Sequence, residues 1–311
     1  MAYYNANEVI RLTRNALDLT QEQLSEGICE VITLSRIENG HHSVKRSTYR
    51  QLMERMGRLP DTRYAICIDK DGVLSEDRLE LERAFKRYDY EAAEYYLKRL
   101  KEKADDNLLT RQYIFKANAL VSYRLKRIDE SEFIEVIEKS MCYGCEPVVS
   151  YEQYIDSEKV FPYTKMELLL LTNLAGAYRE NGNLEKSIML YNLISRCLYA
   201  KYLGAPDCIR MQITVKNSLA MAYEMAGKYY EAIKELDLCL NLAKKYDYGH
   251  TMPTLISAKS FNIIKLVNAG KLEKECVEEA KHLSQQAYYI AAARGDVNAM
   301  RMIREFIEHY I

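Results

Sequence analysis

The chain has 311 residues, 48% apolar and 29% charged, with a formal net charge of −1 at pH 7. That length holds two or more hydrophobic cores, and that balance belongs to globular proteins, which sets aside disordered, fibrous and nonspecifically nucleic-acid-coating classes. No apolar run reaches the ~20 residues that span a bilayer, and no charged-then-apolar leader opens the chain, so a cytoplasmic protein without a membrane partner is expected.

Only 12 Gly and 5 Pro interrupt the sequence, which leaves room for long helices. Three short ones are predicted over residues 11–40. Thr20 is an N-cap and Gln23 stands three residues on, so the pair forms a capping box opening the second helix. Leu24 and Ile28 lie four apart on its buried face. Gly27 and Cys29 are read as small residues where two helices approach closely. A third helix from about Glu30 buries Leu34 and Ile37, and Asn39-Gly40 supplies its left-handed stop.

This is a helix-turn-helix pattern. Leu19-Thr20-Gln21-Glu22-Gln23-Leu24 and Leu34-Ser35-Arg36-Ile37-Glu38-Asn39-Gly40 resemble the lambda-repressor-like (Xre-type) DNA-binding domain over roughly residues 5–57. The turn is one residue shorter than in the commonest members. The Ser25-Glu26-Gly27-Ile28-Cys29 version looks most like the RRNPP group, peptide-sensing regulators of Gram-positive bacteria. The resemblance also implies an internal Arg14–Glu38 pair bracing the first and third helices.

His41 to Arg46 form a short basic loop, and Ser47–Met56 an amphipathic helix with Tyr49, Leu52 and Met56 inward. It ends near Pro60, which cannot continue the ladder. In the following linker, Ala65 to Leu74 resembles the first motif of haloacid-dehalogenase-type phosphatases, with Asp69 as nucleophile and Asp71 as general acid. That fold needs a parallel sheet, and the sequence beyond is helical. An EF-hand is excluded because Arg78 stands at the twelfth ligand position. A solvated turn is the reading adopted.

From Glu76 onward a helix–turn–helix unit repeats. The clearest copies are Leu174-Ala175-Gly176-Ala177-Tyr178 with Gly182-Asn183 and Ser187, and Leu219-Ala220-Met221-Ala222-Tyr223 with Gly227-Lys228 and Ala232. They resemble the tetratricopeptide repeat, although the glycine spacings exceed the usual ~34 residues. Fainter copies lie around Gly270, over Leu79–Lys103 and over Arg111–Ser140. About five helix pairs fit, with a terminal helix at Asp296–Tyr310. The expectation is an all-α protein: a helix-turn-helix domain (1–60), a linker (61–75) and a tetratricopeptide-repeat-like right-handed superhelix (76–311).

Eight dispersed cysteines read as reduced and mostly buried. Cys142-Tyr143-Gly144-Cys145 lacks a second ligand pair for zinc and a βαβ context for redox work, so neither metal nor cofactor is expected.

Two tasks follow from the resemblance. For DNA, the third-helix residues facing away from Leu34 and Ile37 enter the major groove: Val31, Ile32 and Arg36, with Thr33 beside them. Arg36 suits guanine, whereas Val31 and Ile32 can touch only thymine methyls. Gln21 fits a phosphate contact, and Lys45 and Arg46 fit phosphate or the minor groove. Residues 1–65 carry nine Lys and Arg against eight Asp and Glu, so affinity should lean on a homodimer reading a palindromic operator. For a short signalling peptide, Asn118 and Asn173 fall at the same groove-facing position and Asn217 one residue earlier. An Asn amide both donates and accepts, so it pairs with any peptide backbone. Lys116, Lys216, Arg124 and Arg179 add charge for a terminal carboxylate. The competing reading is a protein-interaction module with a vestigial head, favoured by the apolar Val31 and Ile32. No His, Ser or Cys stands in a recognisable catalytic spacing, so an enzyme is not expected.

Overall fold

The computed structural model describes residues 6–58, 73–103, 108–141, 151–155, 160–161, 163, 165–199 and 206–310. Every element among them is helical, in two compact units, 1–181 and 182–311. The Asp69/Asp71 and Cys142/Cys145 motifs lie outside the described residues.

The head of the first unit holds α1 (Ala6–Ala16), α2 (Gln21–Ser25), α3 (Val31–Glu38) and α4 (Arg46–Arg55). Its core is Ile10, Leu24, Leu34, Ile37, Leu52, Met53 and Met56, all nearly inaccessible. The capping box forms as the spacing predicts. The Thr20 hydroxyl accepts the Gln23 amide at 3.2 Å, and the Gln23 side chain accepts the Thr20 amide at 2.8 Å. Gly27 serves a purpose different from the expected one. A Cβ there would meet nothing within 4 Å, so close approach is not the constraint. Its φ of +68° is, because a side chain in that left-handed conformation costs roughly 1–2 kcal/mol.

The rest of the first unit consists of α5 (Val73–Lys86), α6 (Tyr90–Lys103), α7 (Leu108–Arg124), α8 (Glu130–Met141), the single turn α9 (Glu152–Ile155) and α10 (Lys165–Glu180). The second unit holds α11 (Leu184–Tyr199), α12 (Pro206–Met225), α13 (Tyr229–Lys245), α14 (Met252–Asn268), α15 (Cys276–Ala293) and α16 (Val297–Tyr310). These are the helix pairs of the tetratricopeptide pattern. Short acidic or amide side chains start the second helix of several pairs: Asp89 accepts from the Ala92 amide, Asp129 from Glu132 and Asn183 from Lys186. Asp296 does the same for α16 through Ala299, so the expected terminal helix begins one residue after its cap.

Small residues let the pairs close. Ala220 and Ala232 are buried in one cluster with Leu236, Cys239, Leu255, Ala287 and Ala291. Between α12 and α13, Gly227 turns the chain at φ +70°. No helix among the described residues is long and apolar enough to cross a membrane.

Thr20→Ala removes one half of the capping box and should cost the head about 1 kcal/mol. Hydrogen exchange checks this: α2 amides should exchange about fivefold faster, with α12 and α14 unchanged.

Candidate functional site

Arg14 reaches from α1 to the end of α3. Its Nε and Nη2 donate to the two oxygens of Glu38 at 2.7 and 2.9 Å, and its Nη1 donates to the Leu19 carbonyl at 2.8 Å. The Glu38 side chain is only 2% exposed. Gln21 completes the cluster by donating its Nε2 to Glu38 at 2.7 Å. Its amide is turned toward Glu38 and orients α2 against α3. Arg55 donates to the Leu24 and Glu26 carbonyls, satisfying the end of α2. The bracing leaves one face of α3 in water. Ile32 (67% exposed), Thr33 and Arg36 share that face, while Val31 is half-buried. Lys45 and Arg46 are exposed where α4 begins, and the preceding loop is tied to α1 by Asn7, which donates to the His42 carbonyl.

Within the same unit, the head is fastened to residues far along the chain. Arg58 and Glu167 form a two-pronged pair at 2.9 and 3.0 Å, both almost fully buried. The Arg58 guanidinium lies 4.9 Å from the Phe161 ring centroid, and the Tyr154 hydroxyl donates to the Ala16 carbonyl at 2.7 Å. The sequence pattern did not single out these residues, because nothing local marks an arginine whose partner stands 109 positions away.

The expected peptide residues do not behave as one set. Lys216 is buried and paired with Glu235 at 2.7 Å, and Lys116 is buried with its ammonium 5.2 Å from the Tyr113 ring centroid. Both lysines face helix neighbours, so in this conformation neither presents its charge to a ligand. Arg179 is mostly buried, 4.0 Å from Glu180, and Arg124 pairs with that same carboxylate at 3.2 Å. Asn173 is half-buried on α10. Asn118 is exposed, accepts from Lys101, and lines a polar cavity of the first unit with Glu91, Glu94, Lys98 and Arg127. Asn217 lines a different cavity, inside the second unit.

That second cavity holds about 550 Å³ and is walled by α12, α14 and α16. Asn217, Met221 and Glu224 follow one another down α12 at helical spacing, opposite Thr254, Ser257 and Phe261 of α14. Met302, Phe306 and Tyr310 of α16 face them, with Met221 and Met302 substantially exposed. Fully buried Asn262 donates its Nδ2 to Glu224 at 2.8 Å and to the Ala258 carbonyl at 2.8 Å. Its Oδ1 has no hydrogen-bond partner among the described residues. Burial pushes the Glu224 carboxyl above its ordinary range, only partly opposed by the Asn262 bond and the charge of Lys265. Met221, Glu224 and Phe261 escaped notice in the sequence. The i, i+4, i+7 spacing from Asn217 was the available signal.

No protein-family model matches the chain, and no curated protein matches it in sequence. Its structure is another matter. Bacillus thuringiensis PlcR, solved in complex with the peptide PapR7 and DNA, superposes with a TM-score of 0.59 at 19% identity, covering 96% of this chain and 97% of that one. Apo PlcR gives 0.61 at 16%, over 97% and 99%. The fold is that of the RRNPP-type regulators. ComR from S. thermophilus, in complex with DNA and its signalling peptide ComS, agrees at 0.52 and 14% identity, covering 97% of this chain and 98% of ComR. These matches run over the helical head and the helix pairs alike.

Two outcomes test this geometry. Glu38→Ala strands the Arg14 charge and should destabilise the head by about 3 kcal/mol in urea unfolding. Glu224→Gln keeps an acceptor for Asn262 and removes a carboxyl whose folded pKa is raised. Such a group favours the folded state below its unfolded pKa, and that contribution is lost as pH rises through the folded value. The variant should therefore melt higher than wild type at pH 7.5, with the gap closing below the ordinary carboxylate range.

Proposed function

We propose that this protein is a DNA-binding transcription regulator controlled by a short peptide bound in its repeat region. The observation that carries the reading is one chain holding both a braced head with an open α3 face and a mostly apolar cavity lined by an Asn, in a fold matched end to end by PlcR and ComR.

In this account α3 enters the major groove. Arg36 contacts guanine, Ile32 and Val31 meet thymine methyls, Thr33 assists, and Lys45 and Arg46 neutralise phosphates. Because the head carries little net charge, two copies act together on a palindromic operator, with residues 76–311 as the dimerising and sensing domain. Peptide binding shifts the population between arrangements of the repeats, and the buried Arg58–Glu167 pair passes that shift to the head. PlcR and ComR were each solved with peptide and DNA, which is the partner pair assigned here.

A gel-shift with DNA from upstream of the protein's own gene, at stated salt, tests the head. Wild type should retard it specifically, and Arg36→Ala should weaken binding about fivefold or more, the loss of about 1–3 kcal/mol expected for a bidentate base contact. Removing Lys45 or Arg46 should instead weaken all sequences alike and lower the salt slope by about 1 each. No specific retardation by wild type would leave the exposed Ile32 face as a protein-docking surface.

A further inference from the structure

We infer that the cavity of the second unit takes an apolar peptide by its free amino terminus, with the α-ammonium on Glu224 and the chain running toward Asn217. The inference rests on the proposed peptide-sensing reading and adds the chemistry and direction of the ligand.

Charge comes first. Glu224 is a half-buried carboxylate in a cavity whose apolar lining includes Met221, Phe261, Phe306 and Met302. Among the described residues it forms no ion pair, and its hydrogen-bond donor is the neutral amide of Asn262. Lys265 stands nearby, but its ammonium lies over the Phe261 and Tyr310 rings, 4.9 and 5.3 Å from their centroids. An anion in apolar surroundings gains most from a compact cation brought with its own apolar cover. A peptide amino terminus is that group, because the ammonium is attached directly to the carbon bearing the first side chain. It also brings three donors to the two oxygens of the Glu224 carboxylate, only one of which is engaged by Asn262.

Direction follows from spacing. Seven residues of helix separate Asn217 from Glu224, about 10 Å at 1.5 Å per residue, which an extended peptide covers in about three residues. With the ammonium at Glu224, the amide of Asn217 meets the backbone near the third residue, between the hydroxyls of Thr254 and Ser257. The first two side chains fall against Met221, Met302 and the aromatic wall. Methionines adapt to different apolar shapes, so the subsite selects for apolarity and a free amine more than for one side chain. Glu305 and His309 line the α16 side and are exposed, where water screens them.

The test is affinity selection of synthetic apolar heptapeptide pools by the full-length protein, read by mass spectrometry. Four pools are used: free termini, N-acetylated, C-amidated, and both blocked. Wild type should retain the free and C-amidated pools at least tenfold over the two acetylated ones, and Glu224→Gln should lose that preference while melting no lower than wild type. The acetylation comparison needs no variant, so it decides the matter even if Glu224→Gln misfolds. Retention with equal or greater preference for acetylated peptides overturns the inference and leaves the peptide-sensing reading standing. Loss on amidation alone also overturns it, by placing a carboxylate beside Lys265. Retention of no pool overturns both.

Discussion

Glu38 carries a charge that is almost wholly out of water, and three donors from two other helices converge on its two oxygens. A carboxylate buried that deeply persists only with its hydrogen-bonding capacity filled, so Arg14 and Gln21 must hold their places, and with them α1 and α2. The last turn of α3 is thereby pinned from inside. Its outer face, with Ile32, Thr33 and Arg36, is presented as a rigid surface.

A second buried ion pair repeats this logic at longer range. Arg58 and Glu167 are inaccessible, and Phe161 covers the guanidinium. Breaking such a pair strands a charge, so the first unit is expected to move through a few discrete arrangements in preference to bending smoothly. In the second unit the opposite condition holds. Glu224 is a half-buried carboxylate with only a neutral donor, a local electrostatic shortfall. Satisfied and unsatisfied carboxylates thus distinguish the scaffold from the cavity.

Much of this was legible in the sequence. The capping box, the Arg14–Glu38 brace implied by resemblance and the helix-pair pattern all rest on short-range spacing or on a distinctive motif. Repeats before residue 150 were faint for a physical reason: their hairpin turns place Tyr88 and Lys126, not glycine, in the left-handed conformation, at φ +58° each. The surroundings of the groove lysines were not legible, because a helical Lys reads alike whether it faces water or, as Lys216 does, the half-buried Glu235. The Gln21–Glu38 bond was hidden for a similar reason, since an amide serves a phosphate or a carboxylate equally well. The partners of Arg58 and Tyr154 were invisible because both contacts bridge more than a hundred residues.

The central claim is that one chain couples DNA reading to peptide binding, and coupling is a measurable free energy. The decisive measurement is a fluorescence-anisotropy titration of upstream DNA with and without a saturating peptide from the selection, together with the reciprocal peptide titration with and without DNA. The account predicts that each ligand changes the affinity of the other by the same factor, about fivefold or more. Two ligands that bind with no effect on each other would contradict it.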